Sequence, residues 1–386
     1  MTSEIEGIRG RLDEVDLAIV TLLSERFQLI DEIARMKQRG RVELQDAGRE
    51  SALLARVAQL AEAADLNPAL VQRIYREILD YSLRRQLANV AQSLAYAESA
   101  AAAVSAAYQG IEASYSHMAA SRHLAGLSPE ARFIGFPTFH DVAAAVLDGA
   151  VTFGLLPIEN TTAGSINAVH DLLADCDLHI VGEEIQVVDH CLIGLPGTRV
   201  EDLKRVRSHP EALAQCGRFL RSVPWCRAEA YDDTAMAARQ VHADGDPTEA
   251  AIASEAAADR YGLEILRRRV ADQPRNLTRF VVVSRAVIPP APGLAYKTSV
   301  VLVLKHKVGS LSRCLVALAE CGINVTKIES RPLPNTPWQY RFYLDFAGHQ
   351  LTTEVQGGLA ELRRYAESLR VLGSYPAISI SGAPTG

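Results

Sequence analysis

The stretch IEGIRGRLDEVDLAIVTLLSERFQLIDEIARM, residues 5–36, carries its apolar side chains on a seven-residue repeat. Ile8, Val15, Leu22, Leu29 and Met36 fill one position, and Ile5, Leu12, Ile19 and Ile33 its partner. That spacing predicts a long helix packed against other helices. Arg26 stands where the repeat calls for another aliphatic residue. An arginine in an apolar seam is costly unless something pairs with it, either a buried carboxylate or a bound anion. Lys37 lies three turns further on at nearly the same azimuth, and two stacked cations favour the anion. Arg9 is rotated about a quarter turn away and fits a partner chain's pocket better than its own.

A loop containing Gly40 follows, then a second helix from about Asp46, a natural N-cap, with Glu50 one turn later. Asn67-Pro68 opens a third helix, a cap followed by proline at the first helical position. Its stripe Val71, Ile74, Ile78 continues as Ser82 and Gln86, polar groups on an inward face that need partners or a ligand. Arg9, Arg26, Lys37, Asp46, Glu50, Ser82 and Gln86 resemble the active-site set of the all-helical chorismate mutases, without a gap. The resemblance implies two interlocked chains, Arg9 entering the neighbour's site, and a pericyclic conversion of chorismate to prephenate. Cations would clamp the carboxylates. Lys37 and Gln86 would donate to the ether oxygen, and Glu50 and Asp46 would orient the ring hydroxyl and its surroundings.

An Ala-rich stretch, 88–107, reads as a helical continuation or semi-rigid linker. Beyond it, candidate strands (Arg132–Ile134, Val151–Leu156, His179–Val188, Ala250–Ile252, Arg279–Val283) alternate with candidate helices (His140–Asp148, Ser165–Ala174, Glu211–Arg221, Asp233–His242, Ser254–Tyr261). This is an α/β pattern. Polar segments stand at element ends: Ser114-Tyr115-Ser116-His117, the run from Pro157 through Glu159, Asn160, Thr161 and Gly164 to Ser165, and Asn276-Leu277-Thr278-Arg279-Phe280. Each alone reads as capping and turn chemistry.

Together with Ser208-His209-Pro210, Gln215-Cys216 and Asp189-His190-Cys191-Leu192, they resemble prephenate dehydratases. The resemblance implies two α/β lobes like those of periplasmic solute-binding proteins. It implies that prephenate loses CO2 and water in the cleft between them, with Thr278 as proton donor. Ser114, Asn160, Thr161, Ser165 and Gln215 would hold substrate, Glu159 would orient them or help the proton transfer, and Arg279 would meet a carboxylate or form a structural ion pair. His209 reads as a turn histidine before Pro210. The family commonly has glycine where this chain has Ala113, a methyl group that would disturb any close backbone approach to substrate.

A proline-rich linker, 287–293, precedes a βαββαβ order: strand Ser299–Leu304, helix Ser310–Cys321, strands Asn324–Glu329 and Tyr340–Phe346, helix Thr353–Arg370, and a short strand near Val371–Tyr375. Gly309-Ser310-Leu311 and Glu329-Ser330-Arg331-Pro332 resemble the ACT domain of prephenate dehydratases. That implies paired domains binding phenylalanine at Gly309, Ser310, Leu311, Asn324, Glu329, Ser330 and Arg331, with feedback on the dehydratase; a plain dimerisation module is the other reading.

The expected organisation is a helical mutase over 1–92, a two-lobed dehydratase over 105–285 and a ferredoxin-like domain over 297–376, in at least a homodimer. The rival readings are a non-catalytic sensor of aromatic metabolites, or a mutase with an inactive or arogenate-using dehydratase. The 386 residues suit two or three domains. At 48% hydrophobic, 22% charged and net charge -6, the composition is that of a soluble protein and argues against nucleic-acid binding, so anionic substrates call for locally placed Arg and Lys. Six scattered cysteines, without CxxC or zinc spacing, read as free thiols of a reducing cytosol. The N-terminus MTSEIEG does not read as a signal peptide, and no apolar run reads as a membrane span. GxxxxGK[ST], HExxH and strand-borne GxGxxG are missing, so no nucleotide, metal or other cofactor is expected.

Overall fold

The computed structural model describes residues 2–40, 47–79, 81, 82, 85, 104–125, 130–287, 289–291, 294–333 and 336–378, with backbone alone at 2–4, 34, 35, 37–40 and 47. The chain divides into two compact units, a helical one and a larger one that holds every strand.

The helical unit consists of α1 (Thr2–Gly40), α2 (Ala47–Ala63) and α3, helical at 68–79, 81, 82 and 85. Asn67 caps α3, its Oδ1 accepting from the N–H of Ala69 at 2.9 Å and Leu70 at 3.2 Å. Phe27 of α1 packs on Tyr81 with ring centroids 4.8 Å apart, and Asp31 pairs with Arg85 at 2.8 Å. Val57 and Ala61 of α2 are buried, and Leu54 O accepts from Gln72 Nε2 at 3.2 Å. The seven-residue stripe behaves otherwise than expected: from Ile5 to Met36 its members are 37–70% exposed. A helix of 39 residues spans about 58 Å and α2, of 17 residues, about 26 Å, so α2 leaves much of α1 without a neighbour.

In the larger unit, the first lobe is a sheet ordered β2-β1-β3-β11-β5, with β4 beside β3. Its strands are β1 (Ser105–Gln109), β2 (Arg132–Phe136), β3 (Phe153–Asn160), β4 (Gly164–Ser165), β5 (His179–Val187) and β11 (Leu277–Ser284). β1 runs parallel to β2 and β3, while β11 is antiparallel to β3 and β5. The alanines that make β1 weak by propensity suit its place, since Ala106 and Ala107 are fully buried beneath α4 (Tyr115–Leu124) and α5 (Phe139–Leu147). α6 (Asn167–Asp175) completes the lobe.

The second lobe is a sheet ordered β10-β6-β9-β7-β8: β6 (Cys191–Gly194), β7 (Arg205–Ser208), β8 (Arg227–Ala230), β9 (Glu249–Ala253) and β10 (Glu264–Arg267). Its helices are α7 (Pro210–Gln215), α8 (Gly217–Ser222), α9 (Thr234–Asp244) and α10 (Glu255–Tyr261). The single helix expected over Glu211–Arg221 is broken at Cys216, whose φ of -111° and ψ of 24° leave the helical region. The chain passes between lobes twice, from β5 to β6 and from β10 to β11.

Ala113 holds φ at +68°, the left-handed conformation that favours glycine. Its methyl group lies in the second lobe's core beside Ala253 and Ala257, not in the cleft lining. The strain of about 1 kcal/mol is offset by burial of one methyl, about 0.8 kcal/mol, and by a less flexible unfolded chain, about 0.4–1 kcal/mol. Ala113→Gly is therefore expected to shift unfolding stability by less than about 1 kcal/mol, as read by denaturant titration.

The third sheet is antiparallel, ordered β13-β14-β12-β15, from β12 (Tyr296–Leu304), β13 (Val325–Pro332), β14 (Tyr340–Ala347) and β15 (Ala366–Pro376). α11 (Ser310–Glu320) and α12 (Thr353–Tyr365) cover one face over Val300, Leu302, Leu344 and Phe346. The other face lies on the first lobe, where Val301, Tyr343, Leu372 and Tyr375 share a core with Leu173, Leu178 and Ile180. The expected helix to Arg370 ends at Tyr365, and the last strand is eleven residues long, because β15 pairs with β12 along its whole length. At Gly373 a Cβ would stand 2.1 Å from Ile180 O, so only glycine lets β15 come this near β5.

His170 of α6 is 2% exposed at this junction, its ring 4.7 Å from that of Tyr343, and neither ring nitrogen has a hydrogen-bond partner among the described residues. Burial lowers its pKa from 6.5 to about 4. The unfolded chain therefore binds the proton first, and stability falls as pH drops from 6.5 toward 4. His170→Phe should flatten that acid slope, worth about 3 kcal/mol in all, in urea melts run across the same pH range.

Candidate active sites

In the helical unit, Arg26 and Ser82 lie far apart in sequence and meet in space. Arg26 Nη1 donates to Ser82 Oγ at 3.0 Å, and Ser82, 4% exposed, donates to Ile78 O at 2.6 Å. No carboxylate among the described residues pairs with Arg26, and burial lowers its pKa against the pull of Tyr75. This is a half-buried cation with donors to spare, suited to an anion. Glu50 is half-buried in the first turn of α2. Arg9 is exposed, and its 17 residues (26 − 9) from Arg26 put it about 25 Å away along α1. The side chain of Lys37, and Asp46 and Gln86 entirely, lie outside the described residues.

The larger unit has a cleft of about 510 Å³ between its two α/β lobes. Asn160 at the end of β3 is its organiser. Its Oδ1 accepts from Thr162 N at 2.9 Å and Ala163 N at 2.8 Å, which fixes the amide's orientation. Its Nδ2 donates to Asn276 Oδ1 at 2.6 Å and to Thr278 Oγ1 at 2.9 Å. Thr278 thus accepts from Asn160, and its own proton is the one left to donate elsewhere. Asn276 Nδ2 donates in turn to Gln215 Oε1 at 2.7 Å, and His190 Nε2 lies 3.1 Å from the same oxygen. With that oxygen doubly engaged, the Gln215 amide nitrogen is free to donate into the cleft. Burial lowers the His190 pKa despite the Gln215 bond. The neutral ring that results carries its proton on Nε2, with Nδ1 3.1 Å from the Tyr115 hydroxyl.

Of the residues expected to hold substrate, Asn160, Ser165, Gln215 and Thr278 line the cleft. Ser114, Glu159, Thr161 and Arg279 do not. Ser114 is the N-cap of α4, accepting from His117 N at 3.2 Å, and Thr161 Oγ1 accepts from Leu277 N at 3.0 Å. Arg279 follows Thr278 on β11 and so faces away from it. It forms structural ion pairs with Glu159 at 2.9 Å, Glu183 at 3.3 Å and Asp345 at 2.8 Å. Burial works against its charge, but Asp345, Tyr375, Glu159 and Glu183 outweigh it and raise its pKa. Burial would likewise raise the Glu159 pKa, yet Arg279 and Lys327 hold it below the usual carboxylate range.

The cleft also holds groups to which the sequence gave no role: Tyr115, Glu211, Asp232 and Asp233. Burial raises the Asp233 pKa against bonds from the N–H groups of Met236 and Ala235. His209 lines the cleft while capping α7, its Nδ1 accepting from Glu211 N at 3.2 Å. Contrary to expectation, no Arg or Lys among the described residues lines this cleft. The donors that face it are neutral ones, such as the Gln215 amide and the N-terminus of α4 at Tyr115 and Ser116.

In the C-terminal sandwich, Gly309 (φ +80°) and Ser310 open α11, and Asn324 follows its other end, so the expected effector residues are separated by a helix of about 16 Å. Glu329 and Arg331 reach the first lobe, where they meet Ser165 at 2.6 Å and Asp171 at 2.9 Å, while Ser330 is exposed.

The family model for chorismate mutase type II matches residues 8–87, and that for prephenate dehydratase matches residues 106–287. A bifunctional chorismate mutase/prephenate dehydratase from Enterobacter agglomerans is 34% identical over 98% of this chain and 98% of its own. The structure of a prephenate dehydratase from Arthrobacter aurescens in complex with L-Phe is 30% identical, with a TM-score of 0.64 over 72% of this chain and 93% of that one. GqqA, described as a novel type of quorum-quenching acylase, is 36% identical with a TM-score of 0.64 over 71% of this chain and 98% of its own. With a relative of two-enzyme make-up matching end to end, the chain belongs to the bifunctional chorismate mutase/prephenate dehydratase family.

Proposed function

We propose that the protein converts chorismate to prephenate in its helical unit and prephenate to phenylpyruvate in its two-lobed cleft, in the synthesis of phenylalanine. The observation that carries the second step is the bonded chain Thr278–Asn160–Asn276–Gln215, which joins residues of both lobes at the cleft. In that step the bond to the ring carboxylate breaks, its electrons aromatise the ring, and hydroxide leaves from the opposite carbon with one proton as water. Thr278 is oriented to meet that hydroxyl, and Gln215 to donate to a carboxylate. For the first step, Arg26 clamps a substrate carboxylate with Ser82 beside it. Lys37, Asp46, Glu50 and Gln86 take the roles the mutase resemblance gives them.

Two features support a homodimer. The uncovered apolar stripe of α1 is what a second α1 would bury, at about 1.5–3 kcal/mol per large side chain. Arg9 also lies too far from Arg26 to serve the same pocket. Phenylalanine is the proposed effector, bound where two ACT-type sandwiches meet. A site that joins Gly309, Ser310 and Leu311 with Asn324 needs a second sandwich, since α11 separates them within one.

The test is to supply chorismate and follow prephenate and phenylpyruvate, with and without phenylalanine. Wild type should form phenylpyruvate, less of it as phenylalanine rises. Arg26→Ala should cut chorismate consumption by at least about 100-fold and leave added prephenate consumed at the wild-type rate. Prephenate that accumulates unused in wild type would exclude the dehydratase reading, and a flat phenylalanine titration the effector.

A further inference from the structure

On β13, side chains of alternate residues leave the sandwich toward the first lobe. Lys327 pairs with Glu159, Glu329 accepts from Ser165 and Arg331 pairs with Asp171. The segment so gripped, from the end of β3 through β4 into α6, is one wall of the substrate cleft, where Asn160, Ala163, Gly164, Ser165 and Ile166 are exposed to it. Ser165 is thus a cleft residue whose hydroxyl proton is taken by a carboxylate of another domain, at 2.6 Å.

We infer that Glu329 is a positioning residue of the dehydratase, acting through Ser165. A hydroxyl has one proton and two lone pairs. With the proton held by Glu329, Ser165 faces the cleft as an acceptor and cannot donate to a substrate carboxylate. What it can recognise is a donor, and the substrate's ring hydroxyl is the group of that kind. The charged acceptor makes the bond short and strong enough to keep the Ser165 rotamer fixed. Lys327 and Arg331, two residues to either side, fix the carboxylate's strand against the wall. The inference rests on the dehydratase reading, which the wild-type rate on prephenate establishes beforehand.

The experiment measures kcat and KM for prephenate in the full chain, with chorismate consumption as internal control. Glu329→Asp keeps the charge but withdraws the carboxylate from Ser165. It should lower kcat/KM about tenfold, mainly through KM, as should Glu329→Ala. Glu329→Gln still reaches Ser165 with an amide oxygen and should stay within threefold of wild type. Ser165→Ala should lose about tenfold, and adding Glu329→Asp to it should cost nothing more. A Glu329→Asp enzyme within twofold of wild type would overturn the inference. So would a double variant whose loss is the product of the two single losses, since Glu329 would then act independently of Ser165. If Glu329→Ala does not fold, the Asp and Gln variants decide the matter alone.

Discussion

Thr278→Ala is expected to leave a protein that makes prephenate and barely consumes it. Its dehydratase kcat should fall by 10²–10⁴, the range for loss of a positioned proton donor, while chorismate disappears at the wild-type rate. The expectation rests on polarity. Asn160 is locked by two backbone N–H groups and points its own N–H at Thr278 Oγ1, so the threonine proton is directed away from Asn160. Aromatisation of the ring supplies the driving force that a weak acid needs, and the enzyme's part is to hold the donor in line. Thr278→Ser keeps the hydroxyl and should recover most of the rate, whereas Thr278→Val should behave as Ala does. Phenylpyruvate formation from added prephenate distinguishes the three.

Arg279→Met is expected to destabilise the larger unit by about 3–5 kcal/mol, the cost of removing one partner from a buried ionic cluster. Glu183 would retain Lys297 at 2.9 Å, and Glu159 would retain Lys327. Asp345 would be left with the Ser299 hydroxyl at 2.6 Å and no cation in place of the guanidinium. Denaturant unfolding should show the loss in the strand-containing unit and spare the helical one. The deficit should also depend on pH. Glu159 has a depressed folded pKa, so its contribution is present above about 4.5 and is lost as pH falls through the folded value. The variant's deficit should therefore shrink below pH 4.5. Arg279→Lys retains the charge but cannot fork toward three carboxylates, and should fall between the two.

These two neighbours show what the sequence could and could not disclose. Thr278 and Arg279 stand side by side in one motif, and the motif left Arg279 open between a substrate carboxylate and a structural ion pair. A strand sends consecutive side chains to opposite faces, but β11 is buried on both, with a cleft on one side and a second domain on the other, so alternation gave no polarity to read. Arg279 needed Asp345, 66 residues on, before its role was visible. By contrast, Arg26 was legible because one cation interrupts a long apolar repeat, and the Asn67-Pro68 cap because its chemistry is local. His190 and Asn276 act through side-chain bonds across a cleft, a matter of tertiary placement. The βαββαβ order could be read from the chain, but the end of α12 could not, since Val355, Leu359, Leu362 and Ala366 continue helical spacing into what is strand.

The exposed stripe of α1 bears on when the first reaction runs. Ile5, Leu12, Ile19 and Met36 are 47–70% exposed in a single chain. With a second α1 as the proposed cover and Arg9 as the proposed visitor to its partner's pocket, chorismate would be consumed only where two copies have met. On dilution the mutase rate per chain should therefore fall, so that scarcity of the protein would by itself silence the first step.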